Sequence, residues 1–99
     1  MEVVKEETHQ ADVFGLLKAV AHPVRWSIVD VLNREGEVCV CDLQHKLDIK
    51  QAVISQQLKK LRSGGVVLAR KKGRYCHYQI ANAKVKELFS AVQKFKTHD

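Results

Sequence analysis

Apolar residues recur at helical spacing from Gln10 to Val20. Ala11, Phe14 and Leu17 are joined by Val13, Leu16 and Val20 in one broad stripe. Ala21-His22-Pro23 interrupts it. Proline at a first helical position has its φ already set and loses no needed donor, so Pro23 opens a second helix. Trp26, Ile28, Val29 and Leu32 form its inner face, and Gly36, just after Asn33-Arg34-Glu35, ends it. Glu37 to Val40 alternates and predicts one short strand. Asp42 to Leu47 predicts a short third helix with Leu43 and Leu47 inward. Lys50 to Arg62 predicts a fourth, held by Val53 or Ile54, Leu58 and Leu61, and Gly64-Gly65 ends it. Val66 to Lys71 and Arg74 to Ile80 predict two strands paired around Lys72-Gly73. Asn82 to Lys96 predicts a last helix with Val85, Leu88, Phe89, Val92 and Phe95 on one side.

This order is helix, helix, strand, helix, helix, hairpin, helix. It is a mainly α fold with a small β-hairpin, a winged helix-turn-helix with an added helix at each end. The 99 residues suffice for one domain with one core, and residues 1–9 are expected to be a flexible arm. A chain this short buries a modest core and is often stabilised by dimerisation. The Phe14 and Leu17 stripe and the Leu88, Val92 and Phe95 stripe need a partner surface, so a homodimer joined through the terminal helices is expected.

Charge changes the picture next. Seventeen Lys and Arg against eleven acids leave a formal net charge of +6, which points to a polyanion, with nucleic acid ahead of an anionic membrane surface. No apolar run reaches the length of a membrane span, and Met1 to Glu7 lacks a signal-peptide core, so the expectation is a cytoplasmic protein with no membrane partner. Three cysteines cannot all pair within one chain, and they read as reduced thiols.

In the fourth helix Gln51, Ser55 and Lys59 are four apart, with Ala52, Gln56 and Lys60 beside them. Gln reads adenine through two hydrogen bonds and Ser reaches several base edges. Lys59, Lys60 and Arg62 suit phosphates, which supply affinity but not sequence. The hairpin adds Arg70, Lys71, Lys72 and Arg74 around a glycine tip, the shape of a wing on the backbone or in the minor groove. An amphipathic helix with such a face is ordinarily just solvated; the basic hairpin that follows it shifts the balance to double-stranded DNA.

Leu47-Asp48-Ile49-Lys50-Gln51-Ala52-Val53-Ile54-Ser55-Gln56-Gln57-Leu58 resembles the recognition helix of the ArsR/SmtB family, close to Leu-Gly-Leu-Ser-Gln-Ser-Ala-Val-Ser-Gln-His-Leu. Ala21-His22-Pro23-Val24-Arg25 is similar to the family's Ala-Asp-Pro-x-Arg, and Gly73-Arg74-Tyr75-Cys76-His77-Tyr78 to its Gly-Arg-Tyr-Val-Tyr-Tyr. The match runs over roughly residues 10 to 98. The resemblance implies a homodimeric repressor that binds a palindromic operator and releases it on sensing an inducer. Lys50 stands where Ser usually caps the recognition helix, and His22 replaces the capping Asp, so both helix starts are expected to be less well defined.

Glu37-Val38-Cys39-Val40-Cys41-Asp42-Leu43 resembles the family's metal box, Glu-Leu-Cys-Val-Cys-Asp-Leu. On an extended segment Cys39 and Cys41 point to one side, where two thiolates can share a soft ion: As(III), Sb(III), Cd(II), Pb(II), Zn(II) or Cu(I). No cofactor is otherwise required. Gln44 occupies the place of the third family thiol for trivalent arsenic, which leaves Asp42, His9 or an exogenous thiol to finish the site. Alternation puts Cys76 with Tyr78 and Ile80 on the core face, as a core filler. The family's other metal site, on the last helix, matches Asn82-Ala83-Lys84 and Phe95-Lys96-Thr97-His98 and keeps one ligand of four, so no zinc or cobalt site is expected there. His22, His45 and His77 read as structural or surface residues.

Alternatives remain. The thiols serve as a redox or persulfide switch, although cysteines two apart make a strained disulfide, or the regulator has no inducer. For Cys39 and Cys41 the plain structural outcome is one thiol buried, one exposed and neither functional. A thiol oxidoreductase would show Cys-x-x-Cys beside a βαβ pattern, which is absent, and no nucleophile-base set for a hydrolase assembles, so the chain is expected not to be an enzyme.

Overall fold

The computed structural model describes residues 13–97. The arm at 1–9, His9, the first turn expected from Gln10, and His98 lie outside the described residues. Helix α1 covers residues 13–20, and α2 is Pro23–Glu35, with proline at its start. His22 sits in extended backbone before α2, and its Nδ1 accepts a hydrogen bond from Val24 N–H at 3.2 Å. The histidine therefore caps α2 in place of the expected aspartate, and that helix start is well defined. Gly36 closes α2 at φ +87, its N–H donating to the Leu32 carbonyl at 2.8 Å.

Strand β1 is only Val38–Cys39, and α3 runs Val40–Leu47, starting before the expected Asp42. Val40 thus belongs to a helix and not to a strand. The tight turn after α3 places Asp48 at φ +55, where the quoted family pattern has glycine. Helix α4 follows at Gln51–Ser63. Its N-cap, Lys50, makes no side-chain cap bond, as the departure from serine implies. Lys50→Ser is expected to stabilise the fold by about 0.5–2 kcal/mol through a bond to a free first-turn amide. A higher urea midpoint at fixed protein concentration checks this; an unchanged midpoint would mean that tertiary packing already fixes the helix start.

Strands β2 (Val67–Lys72) and β3 (Tyr75–Ile80) form the hairpin, with Gly73 at φ +63 in the turn. Lys72 pairs with Tyr75, so the turn is Gly73-Arg74 and Lys72 is the last strand residue rather than part of the loop. The antiparallel sheet has the order β1-β3-β2, with Val38 opposite Tyr78 and Cys39 opposite His77. Helix α5 is Ala83–Thr97, and the Asn82 side chain accepts from Val85 N–H at 3.2 Å.

The core lies where α2, α4 and the sheet meet. Ile28, Val29, Val31 and Leu32 of α2 pack with Leu43 of α3, with Ile54, Leu58 and Leu61 of α4, and with Val66 and Val67. Ile54, not Val53, is the inward residue. Val85 and Phe89 bring α5 to the core, and Trp26 stacks on Phe89 with ring centroids 4.7 Å apart. Outside it, Val13, Phe14 and Leu17 on α1 and Phe95 on α5 remain exposed, Phe95 by 75%.

Candidate nucleic-acid interface and thiol cleft

Helix α4 is pinned from behind. Ile54, Leu58 and Leu61 face the core, which turns Gln51, Ala52, Ser55, Gln56, Lys59, Lys60 and Arg62 to solvent. All seven residues named from the sequence are exposed on this helix, in one sector of its surface. The hairpin exposes Arg70, Lys71, Lys72 and Arg74 as well. Strand alternation separates them: Arg70 pairs with His77 and Lys72 with Tyr75 on one face, while Lys71 pairs with Cys76 on the other.

One acid in this region carries no signal in the sequence. Glu37 bonds the wing: its Oε2 lies 3.0 Å from Lys72 Nζ and 4.0 Å from His77 Nδ1. The hydrogen bond from Lys72 is the main reason its carboxyl titrates below the ordinary carboxylate value, and the charges of Lys72, Arg70 and His77 act in the same direction. Lys72 is therefore engaged within the protein, whereas Arg70, Lys71 and Arg74 form no ion pair with another described residue.

The thiols sit where sheet, α3 and α4 converge. Cys39 ends β1 in extended backbone and Cys41 lies in the first turn of α3, so the two do not share a side in the way that alternate residues of a continuous strand would. Cys39 is half-buried and Cys41 exposed. Both nevertheless line one open cleft of about 320 Å³, together with Gln51, Arg74, Tyr75 and Cys76. Cys76 is half-buried and lines this cleft; it is not part of the closed core, because β1 ends one residue short of covering it. Burial raises the Tyr78 hydroxyl above its ordinary pKa, with Cys76 beside it adding to the effect. Asp42 is exposed in the first turn of α3 and does not line the cleft.

Among the described residues no three His, Cys, Asp or Glu side chains converge on one point as a metal site would require. The described donors at the cleft are the three cysteines Cys39, Cys41 and Cys76, and they do not form a closed tetrahedral cage. Asn82, just before α5, caps that helix through its side-chain oxygen. His45 is exposed, and no described helix is long and apolar enough to cross a membrane.

Comparison with known proteins agrees with this architecture. The chain is similar to the biofilm growth-associated repressor of Agrobacterium fabrum, 38% identical over 86 residues that cover 87% of this chain and 73% of that one. It is 44% identical over 66 residues, 67% of its length, to the arsenical resistance operon repressor of Escherichia coli. There the match spans 56% of the relative, and the chain covers about half the length of the arsenic-resistance regulators it matches. Its backbone follows the homodimeric winged helix-turn-helix DNA-binding domain of Mb0332 from Mycobacterium bovis. The TM-score is 0.84 at 31% identity, covering 94% of this chain and 85% of that one. Residues 22–69, from the cap of α2 through the recognition helix into β2, match the description "bacterial regulatory protein, arsR family". The fold is a winged helix-turn-helix, and by sequence and backbone alike the chain belongs to the arsR family of bacterial regulatory proteins.

Proposed function

We propose that this protein is a transcriptional repressor that binds a palindromic DNA operator as a homodimer. The observation that carries the reading is the outward face of α4, polar and basic along its length while three buried side chains hold the helix from behind. Gln51, Ala52, Ser55 and Gln56 meet base edges in the major groove; Lys59, Lys60 and Arg62 meet phosphates, as do Arg70, Lys71 and Arg74 on the wing, and Lys72, exposed but paired with Glu37, adds a partly neutralised contact. The exposed apolar residues of α1 and α5 supply the dimer surface, consistent with the homodimeric neighbour. Two-fold symmetry of the protein requires two-fold symmetry of the operator.

The test separates base reading from backbone holding. Gln56→Ala is expected to weaken an operator duplex more than a scrambled duplex of equal length, by about 1–3 kcal/mol if the amide contacts a base twice. Arg74→Ala is expected to weaken both alike and to flatten the salt dependence. A purely specific loss with Arg74→Ala would overturn the assignment of the wing.

A second reading concerns release. We infer that a thiophilic effector, one of As(III), Sb(III), Cd(II), Pb(II), Zn(II) or Cu(I), or else an oxidant, acts at Cys39 and Cys41. Two features support it: both thiols share their cleft with Gln51 and Arg74, and an arsenical resistance operon repressor is among the relatives. An occupant of that cleft stands between the recognition helix and the wing, so its binding and that of DNA are linked.

A further inference from the structure

A second cleft, on the opposite end of α4 from the thiols, gathers four cations from three helices. Lys18 of α1, Arg25 of α2 and Lys59 and Lys60 of α4 line an open space of about 690 Å³ that no acidic side chain among the described residues lines. None of the four forms an ion pair with another described residue. Like charges gathered without a counter-charge among the described residues repel one another, and a bound anion relieves that repulsion.

The cleft is built by close packing, not by chance proximity of long side chains. A Cβ placed on Gly64 would lie 2.6 Å from the Ala19 Cβ, so the glycine is what lets α1 approach the end of α4. Arg25 is fixed at the cleft wall: its Nη1 donates to the Ala19 carbonyl at 3.0 Å, while its buried Nε–H has no acceptor among the described residues.

Position identifies the anion. Lys59 lies eight residues beyond Gln51, a rise of about 12 Å along an α-helix. At the Gln51 end of the helix, the wing cation Arg74 shares a cleft with Gln51. Cations thus stand at both ends of the reading helix, and Lys59 and Lys60 belong both to its outward face and to this cleft, so the cleft continues the surface turned toward DNA. We propose that the cleft of Lys18, Arg25, Lys59 and Lys60 seats the DNA sugar-phosphate backbone on the wall opposite the wing. This rests on the DNA-binding reading and adds Lys18 and Arg25, which lie outside the helix-turn-helix and the wing, to its contacts.

The experiment measures duplex affinity of the full chain across a salt series for wild type, Lys18→Ala and Lys18→Arg. Lys18 is exposed, so its replacement leaves the fold intact. Expected for Lys18→Ala is a fall in the slope of log K against log salt of about 0.9 for each phosphate that is no longer neutralised. Affinity for an operator duplex and a scrambled duplex falls by the same factor, and Lys18→Arg restores both. With Lys18→Ala, phosphate ethylation is expected to stop interfering with binding at positions on the strand away from the wing. An unchanged slope with Lys18→Ala overturns the proposal. So does a result in which Lys18→Ala abolishes binding of inorganic phosphate to the free protein without altering the DNA slope, which would make the cleft a small-anion site. If the wild type binds no duplex at all, the DNA-binding reading itself fails; if it binds and only the Lys18 arms are flat, that reading stands and this one falls.

Discussion

Leu58→Ala is expected to destabilise the fold by about 2–5 kcal/mol, which lowers Tm by roughly 10–30 °C in a chain of this size. Leu58 has no exposed surface, and with Ile54 and Leu61 it forms the stripe that fixes α4 against α2, α3 and the start of β2. Alanine removes the middle anchor and leaves a cavity that the flanking helices cannot close without moving. The loss is a large share of the roughly 5–15 kcal/mol that holds a domain together. Val53→Ala, on the same helix but 36% exposed, is the control and is expected to stay within about 1 kcal/mol. Both are measured by thermal and urea unfolding at one protein concentration, because the Tm of a chain that self-associates depends on concentration. Equal losses for the two variants would mean that α4 is not held by its inner stripe, and with it would go the reason that its polar face is presented outward.

Most of the architecture is legible where a helix carries its own boundary chemistry. Pro23, Gly36 and the Gly64-Gly65 pair mark ends that the structure keeps. The misplacements have a common cause: the boundary residue gives no signal of its own. Cys39 makes no side-chain cap bond, so nothing in Glu37 to Val40 tells a strand from the first turn of α3. His22 reads as a weakened cap, yet its imidazole nitrogen does the work of a carboxylate oxygen. Alternation along β3 sets the face of Cys76 correctly but not its burial, which depends on where β1 stops. The Glu37–Lys72 bond and the cleft of Lys18, Arg25, Lys59 and Lys60 join residues far apart in the chain, and no periodicity reports such encounters. The outward residues of α4 are the easiest to name, since a helix whose inner stripe is known leaves its outer stripe determined.

Double replacement of Cys39 and Cys41 by serine is expected to leave duplex binding unchanged and to abolish release by As(III), Cd(II) or oxidant. Neither thiol belongs to the buried core, and serine keeps their size, so the fold and the face of α4 should survive. What is lost is the pair of soft donors at the mouth of the cleft that Gln51 and Arg74 also line. Linkage adds a stricter requirement. Whatever factor the effector removes from DNA affinity, DNA must remove from effector affinity. Titrating As(III) into the free wild-type protein and into its duplex complex should therefore give dissociation constants whose ratio equals the ratio of DNA affinities with and without As(III). In the double variant both ratios should be one. Cys76→Ser separates the remaining possibility, because Cys76 lines the same cleft from the first residues of β3. If the double variant still releases DNA when the effector is added, Cys39 and Cys41 are not the sensing pair; if that release then disappears with Cys76→Ser, the wing thiol carries the response.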